Sequence, residues 1–288
     1  MLEASWELAV GVALVAALAV TSAVKRYLSA AGVAAAVVVG IGILLAGGLG
    51  WLIVLVSFAV MGSLLTRVGA DLKGLAPELE ADRGVKNVLA NGLPPLLFAI
   101  ANFALAGQPW SAAFTAAVAA AASDTISTEV GMLSRSRPRR LTRPWEEVAP
   151  GTSGGITALG TIAGLLGAAA ISLIAAASGI LAGPAEIWMA AIMGFAGNLM
   201  DSLLGDLAEV KYRCADGSLA EDPSRCGSAA ERVGHPLVNN HTVNAISISI
   251  AGLIALAIAR ALPPRGAPRA CARAPPRRPS PAPRCPCA

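Results

Sequence analysis

The chain has 288 residues, of which 55% are hydrophobic and only 14% are charged. A soluble domain carries about 25% charged residues, whereas the apolar residues here gather in blocks of about 17–25, the length that crosses a bilayer. This composition excludes an ordinary soluble domain and predicts an all-α, polytopic transmembrane helix bundle with about 7–8 spans. The net charge of +4 comes largely from the C-terminal tail. We therefore expect membrane lipids around the chain and no nucleic-acid partner.

Hydropathy predicts eight spans in chain order, at residues 6–24, 29–47, 49–66, 88–107, 110–133, 154–178, 185–206 and 242–261. The second and third spans would leave seven if they formed a re-entrant pair. The first apolar run follows Glu3 and Glu7 rather than a basic segment, so it is predicted to be a retained span and not a cleaved signal peptide. We predict one membrane-embedded helical domain over residues 1–262 and a disordered Pro/Arg-rich tail over residues 263–288.

The basic residues indicate how the spans are oriented. Connections after the first, third, fifth and seventh spans carry Lys and Arg, whereas the connections near residues 47–50, 107–108 and 178–186 carry none. Eight spans place every basic connection on one face, and the positive-inside rule makes that face cytoplasmic. The prediction is a multi-pass protein of a cell membrane with its N-terminus outside. The same assignment puts the arginine-rich tail outside.

Two carboxylates interrupt the fifth apolar span, in the stretch ASDTISTEVG. Asp124 and Glu129 each cost about 2.5–3.5 kcal/mol at the centre of a membrane helix, and a Leu or Phe returns only about 0.3–0.6 kcal/mol. Either the two acids lie at a solvated helix end, or they require a cation, a metal, a proton or a water-filled cavity.

The seventh span ends in a similar pattern, GNLMDSLLGD. Four carboxylates arriving at one membrane face on two parallel helices suggest a divalent metal site, and Mg²⁺ prefers oxygen ligands. The expected metal ligands are Asp124, Glu129, Asn198, Asp201 and Asp206. Acids five residues apart are rotated by about 140° on a helix, so not all four can reach one ion. Asp124 and Asp201 are the predicted inner pair.

The stretch PGTSGGIT before the sixth span has two interpretations. Gly151, Gly154 and Gly155 permit tight turns, and Thr152 or Ser153 is positioned to cap the following helix. A helix N-terminus of this kind attracts phosphate, although the stretch lacks the P-loop pattern. The other interpretation is an ordinary glycine-rich turn that leads into a membrane helix.

Two pairs of asparagines lie at the same face of the membrane. Asn87 and Asn91, and likewise Asn240 and Asn244, are four residues apart and share a helix face in each pair. The five cysteines include no CxxC pair, so a zinc site is not expected.

Five motifs in this order, DRGVKNVLANG, ASDTISTEVG, PGTSGGIT, GNLMDSLLGD and NNHTVNAIS, resemble the transmembrane protein 19 family of integral membrane proteins, which includes the plant phytyl-phosphate kinase. The resemblance runs from about Val54 to Arg260. It implies a membrane-embedded kinase that transfers a phosphoryl group from CTP or ATP to an isoprenyl monophosphate and so gives the diphosphate. Mg²⁺ is the implied cofactor, and an isoprenoid lipid phosphate is the implied partner.

The residues themselves fit this chemistry, and we expect catalytic roles for Asp124, Asp201 and Lys86, with the carboxylates holding Mg²⁺. The expected phosphate- and nucleotide-binding residues are Arg83, Asn87, Asn91, Gly151, Thr152, Ser153, Gly154, Gly155, Asn240 and Asn244.

Two other functions use the same residues. An ion- or proton-coupled transporter would bind cations at its intramembrane acids, near the midplane and within reach of both sides. A CTP-dependent lipid cytidylyltransferase would use the same metal and phosphate elements but release pyrophosphate. The clustering of polar residues on one face favours an enzyme over a transporter.

Overall fold

The computed structural model describes residues 2–73, 84–105, 107–181, 183–215, 219–220, 226, 230–235 and 237–261. Within these ranges the chain forms eight α-helices: α1 Leu2–Val24, α2 Ala30–Gly47, α3 Leu49–Lys73, α4 Val85–Ala104, α5 Trp110–Gly131, α6 Ala158–Ala177, α7 Pro184–Leu207 and α8 Asn240–Ala261. The predicted all-α helix bundle is confirmed. The predicted disordered tail, residues 263–288, lies outside the described residues.

Seven of these helices, all except α5, are long and apolar enough to cross a membrane. The exception is 22 residues long, but it is rich in alanine and carries Asp124 and Glu129. A single residue, Gly48 at φ +87°, separates α2 from α3, and both helices have full spanning length. The sixth helix begins at Ala158 rather than near residue 154, because Gly155 and Ile156 pair as a strand instead.

The fifth helix lies at the centre of the bundle, in contact with α3, α4, α6, α7 and α8. From Ala112 to Ser123 every side chain is buried. The neighbouring helices approach closely because they present glycines: a Cβ on Gly160 of α6 would lie 2.6 Å from the carbonyl oxygen of Ser127. Small residues allow such close backbone packing in membranes, where apolar burial alone does not drive helices together. This packing lets a helix with two carboxylates occupy the core.

The connections between helices group at two ends of the bundle. At one end, which we call the opposite end, Arg260 Nε donates to Gln108 Oε1 at 2.8 Å, and Gly50 packs against the carbonyl of Ser178. At the other end, the cavity end, α5 and α7 finish while α4, α6 and α8 begin. The connections at the opposite end are those without Lys or Arg, which agrees with the predicted grouping of loops.

Short strands lie in the connections at the cavity end. They are β1 Arg139–Arg140, β2 Gly155–Ile156, β3 Lys211–Cys214, β4 Leu219–Ala220 and β5 Ala230–Val233. The first two form an antiparallel pair, and β3 lies between β4 and β5 in a three-stranded antiparallel sheet. A disulfide joins Cys214 to Cys226 beside this sheet. The absence of CxxC spacing gave no indication of this pairing.

Candidate functional site

A polar cavity of about 300 Å³ opens at the cavity end, between α3–α8 and the glycine-rich turn before α6. Most of the predicted site residues line it, although they are spread over more than half of the chain. These are Asn87, Asn91, Asp124, Glu129, Gly151, Thr152, Ser153, Gly154, Gly155, Asn198, Asp201, Asn240 and Asn244. The structure thus brings the motifs of α4, α5, α7 and α8 and the glycine turn to one place.

Asp124 on α5 and Asp201 on α7 form the acidic part of this cavity. They lie close enough to repel each other electrostatically. Ser247 Oγ donates to Asp201 Oδ1 at 3.0 Å, and the side-chain amide of Asn244, in the orientation that suits its neighbours, donates to the same oxygen at 2.9 Å. Both donors reach Oδ1, so among the described residues Oδ2 of Asp201 has no hydrogen-bond donor.

Asn198 ties α7 to α5 beneath these carboxylates. Its Nδ2 donates to Ser123 Oγ at 3.1 Å, and Ser127 Oγ donates to its Oδ1 at 3.2 Å. A Cβ on Gly164 of α6 would lie 2.7 Å from Asn198 Nδ2, so a glycine is needed at that position. Asn198 therefore bridges two helices, and its expected metal role stays a prediction. Sequence reasoning missed both serines, although they are four residues apart and share one helix face.

Glu129 is buried, with 6% of its surface exposed. Thr66 Oγ1, on α3, donates to Glu129 Oε1 at 2.7 Å. The interpretation of Glu129 as a solvated helix end is therefore wrong, because α3 covers this part of α5. Thr66 was not among the expected site residues, and no local pattern distinguishes it from other helix-lining threonines.

Asp206, expected as a metal ligand, lies outside the cavity lining. Arg140 Nη1 donates to its Oδ1, while the backbone N–H and hydroxyl of Thr142 donate to its Oδ2. Both carboxylate oxygens are thus occupied, and the structure places Asp206 in an ion pair instead of at a metal position. Burial opposes the charge of Arg140, but its hydrogen bonds to Asp206 and Glu146 outweigh burial and raise the pKa of Arg140. The pair anchors the segment between α5 and α6 to the end of α7.

The glycine turn uses two of its backbone N–H groups for hydrogen bonds within the turn. Thr152 N–H donates to the carbonyl of Ala149 at 3.1 Å, and Gly155 N–H donates to the carbonyl of Thr152 at 2.9 Å. The cap of α6 is Thr157, whose Oγ1 accepts from Gly160 N–H at 3.0 Å, so the expectation of Thr152 or Ser153 as the cap is wrong. The reason is the β-pairing of residues 155–156, which delays the start of the helix.

Gly154 and Ser153 attach this turn to the end of α7. Gly154 has φ +77°, and a Cβ there would overlap Asp206, which explains the glycine. Ser153 Oγ donates to Glu209 Oε2. Glu209 is buried, and it also acts electrostatically on Asp201. Sequence analysis missed Glu209, because it follows the last turn of α7 and resembles a solvated loop residue.

Among the described residues that line the cavity, none is a Lys or Arg. Lys86 is exposed in the first turn of α4, whose N-cap residue Gly84 makes no side-chain capping bond. Arg83, the other predicted phosphate ligand of this segment, lies outside the described residues.

Asn91 donates to the carbonyl of Asn87 at 3.0 Å, but its buried Oδ1 has no partner in the described part of the chain.

The carboxylates suit a metal that brings its own ligands. Within the described ranges, no three His, Cys, Asp or Glu side chains come together as a cation cage. Mg²⁺ is commonly held by one or two carboxylates together with water and substrate phosphates. Two neighbouring carboxylates at a polar cavity, one with an oxygen that receives no hydrogen bond from the described part of the chain, fit that mode of binding and not an all-protein site.

Comparison with known proteins places the chain in a family. The sequence profile described as integral membrane protein DUF92 matches residues 13–252. An uncharacterized membrane protein of Methanocaldococcus jannaschii is 36% identical over 89% of this chain and 96% of its own length.

Two further relatives are more distant, and no solved structure matches the chain. An uncharacterized membrane protein of Synechocystis is 26% identical over 76% of this chain and 78% of its own length. Protein VTE6, chloroplastic, of Arabidopsis thaliana is 24% identical over 80% of this chain and 64% of its own length. These matches bear out the resemblance to the transmembrane protein 19 family, and the chain belongs to the DUF92 family of integral membrane proteins.

Proposed function

We propose that this protein is a membrane-embedded kinase that transfers the γ-phosphoryl group of CTP or ATP to an isoprenyl monophosphate. The observation that carries the proposal is the polar cavity, in which carboxylates of α5 and α7 meet the first turns of three other helices. Phosphoryl transfer requires mainly positioning and neutralisation of charge, and this cavity has groups for both. The family resemblance to the plant phytyl-phosphate kinase supports the choice of acceptor.

Asp124 and Asp201 are the groups that would hold Mg²⁺, which when bound supplies positive charge to the phosphate oxygens. Ser247 and Asn244 orient Asp201 by donating to one of its oxygens, which directs the second oxygen to a ligand. Asn198 fixes the distance between the two helices that carry the carboxylates. Glu129, held by Thr66, is positioned as a further acidic group at the same wall.

The start of α4 is the stronger candidate for the phosphate end. Its N-cap residue, Gly84, makes no side-chain capping bond, and a helix N-terminus favours anions. Lys86 lies in this turn, and Asn87 one residue later lines the cavity. The glycine turn, whose N–H groups at Thr152 and Gly155 are used internally, instead shapes the wall across from α4.

The reaction requires no strong general base. The acceptor monophosphate has a second pKa near 6, so it is largely ionised at neutral pH. One of its oxygens forms a bond to the γ-phosphorus as the bond between that phosphorus and the β-phosphate oxygen breaks, and the nucleoside diphosphate leaves. Neither histidine of the chain is needed for this step.

We further propose that the cavity end faces the cytoplasm of a cell membrane, where the nucleotide is available. A transporter is less favoured, because the core between the cavity and the opposite end is filled by buried side chains. Phe114 is fully buried, and its ring centroid lies 4.5 Å from that of Trp51.

Purified protein in lipid vesicles, supplied with Mg²⁺, tests the proposal with nucleotides labelled in different phosphates. We expect γ-label from CTP or ATP to appear in phytyl or geranylgeranyl diphosphate. Label from the α-phosphate in the lipid would instead identify a cytidylyltransferase. Proton- or cation-coupled uptake without any labelled lipid would identify a transporter and overturn the kinase.

A further inference from the structure

A second, apolar cavity of about 320 Å³ lies between α1, α2, α3 and α4. Its walls are mainly aliphatic, with Val15 and Leu18 from α1, Val37 from α2 and Leu52 and Val56 from α3. We call this cavity the apolar groove. Such a lining offers little polar contact to a nucleotide or an ion, whereas a hydrocarbon chain is stabilised by it.

The apolar groove lies next to the polar cavity. Phe58, Asn87 and Asn91 line both spaces, so the wall between them is one aromatic ring and two amides. Asn91 is 7% exposed, and its buried Oδ1 has no hydrogen-bond partner among the described residues. A buried acceptor without a donor is costly, and it points to a ligand or a bridging water that donates at this junction. The two spaces together have the chemistry of one amphiphile, with a polar head and a single apolar chain.

The dimensions of the groove limit the length of the hydrocarbon chain that it can bind. Its lining residues on α3 run from Leu52 to Leu64, which corresponds to about 18 Å along the helix. One leaflet of a bilayer core is about 15 Å deep, half of the full thickness of about 30 Å. The groove therefore accommodates a chain that spans about one leaflet, and a much longer polyprenyl chain would extend beyond it into lipid.

We propose that the apolar groove binds the single isoprenoid chain of the acceptor whose phosphate occupies the polar cavity, and that its length sets the preferred chain. This inference rests on the proposed kinase function for the identity of the head group. Asn91 is the residue where chain and head group meet, and Phe58 separates the groove from the carboxylates.

Two phenylalanine substitutions on one helix test the groove. Ala36 lines it, whereas Ala34 on the same helix is exposed and does not line it. In Ala36→Phe we expect the ratio of kcat/KM for geranylgeranyl over geranyl monophosphate to fall roughly tenfold, because a few chain carbons lose their burial. Ala34→Phe is the matched control, and we expect its kcat/KM ratio to equal that of the unmodified protein. Ala59→Phe, on the α3 wall, should repeat the effect if Ala36→Phe does not fold. Equal ratios in groove and control variants would overturn the proposal.

A photoreactive geranylgeranyl monophosphate with a diazirine at its chain end separates this inference from the kinase proposal. We expect crosslinks to peptides of α1–α3. Such crosslinks without phosphoryl transfer would keep the groove and reject the kinase. Transfer with crosslinks elsewhere would reject the groove and keep the kinase. Loss of the crosslink in excess phosphatidic acid would show a site for membrane phospholipid, which also overturns the inference.

Discussion

The helices around the polar cavity and the helices beside the apolar groove are packed in different ways. In α5–α8 the contacts are made by alanine and glycine, so that Gly160 and Gly164 lie against the backbone and serines of α5. In α1–α3 a small cluster of larger residues, Val15, Leu44 and Leu52, makes the contact. Small residues bring backbones close and hold polar side chains in fixed positions, whereas branched side chains leave a space between helices. The same bundle therefore has a rigid polar site and an adjoining apolar groove.

The strongest test of the polar half is removal of its carboxylate charge. We expect Asp201→Asn, and likewise Asp124→Asn, to lower phosphoryl transfer at least about a hundredfold, because each removes a carboxylate charge that we propose holds Mg²⁺. The labelled-nucleotide assay measures the rate. Glu186→Gln, at the other end of the same helix, is the matched control and should remain active.

Full activity in both aspartate variants would reject the metal assignment. Size-exclusion chromatography and thermal unfolding of each variant establish that a loss of transfer does not come from a loss of fold.

The anchor of the α5–α6 segment is tested by two neighbouring arginines. Arg140 and Asp206 are almost fully buried, whereas Arg139 and Glu147 form an exposed pair with side chains 56% and 47% exposed. Arg140→Gln should destabilise the protein by about 3–5 kcal/mol, since it leaves a buried carboxylate without its cationic partner. Arg139→Gln should cost about 1 kcal/mol or less. Thermal unfolding in detergent compares the two, and equal shifts would contradict the anchor.

We expect the contribution of the Arg140–Asp206 ion pair to stability to be independent of pH near neutrality. The pKa of Arg140 is raised, so its contribution to stability is fully present below the ordinary arginine pKa and is lost only above it. The difference in stability between the unmodified protein and Arg140→Gln should therefore stay constant between about pH 6 and pH 9. A difference that changes steeply in this range would show that another titrating group controls the segment.

Two glycines compare the packing of the two halves directly. A Cβ at Gly160 would meet the backbone of α5 at 2.6 Å, whereas a Cβ at Gly42 of α2 would meet the flexible end of Leu96 at 2.7 Å. Gly160→Ala should destabilise by about 1–3 kcal/mol, and Gly42→Ala should cost less, because a side chain moves more easily than a helix. The melting temperatures of the two variants in one detergent test this, and a larger loss at Gly42 would contradict it.

The smallest expected effect on activity concerns the disulfide at the cavity end. The bond joins Cys214 and Cys226, which are 12 residues apart, so it restrains only a short segment. The variant with both cysteines replaced by serine should therefore keep its rate of phosphoryl transfer within about twofold.

The disulfide also bears on which side of the membrane the cavity end faces. Disulfides are uncommon in the cytosol of mesophiles but occur in intracellular proteins of hyperthermophiles, whereas the basic loops predict a cytoplasmic location.

A membrane-impermeant maleimide resolves this, in a variant whose tail cysteines, Cys271, Cys285 and Cys287, are serines. After reduction, we expect Cys214 and Cys226 to react only in broken cells. Reaction in intact cells would place the cavity end outside and would contradict the proposed access of cytosolic nucleotide.

Much of the site was predictable from local sequence. Asp124 and Asp201 interrupt apolar spans, and polar residues at those depths require a partner wherever the helices pack. Their meeting at one cavity follows from the parallel direction of α5 and α7. The expectation that Asp206 binds a metal was wrong. Its partner Arg140 lies 66 residues earlier, in a loop whose path no local pattern determines. Thr66, Ser123 and Glu209 were missed for the same reason.

The sequence by itself determined the membrane class, the positions of the helices and the grouping of basic loops, because hydropathy and charge act on each segment independently of the others. Only the tertiary structure decided which face of each helix turns inward. That rotation depends on contacts between distant segments, such as the serines of α5 with Asn198 of α7. The packing of the helices also forms the apolar groove beside the polar cavity. No single segment encodes this groove, since four helices contribute its walls.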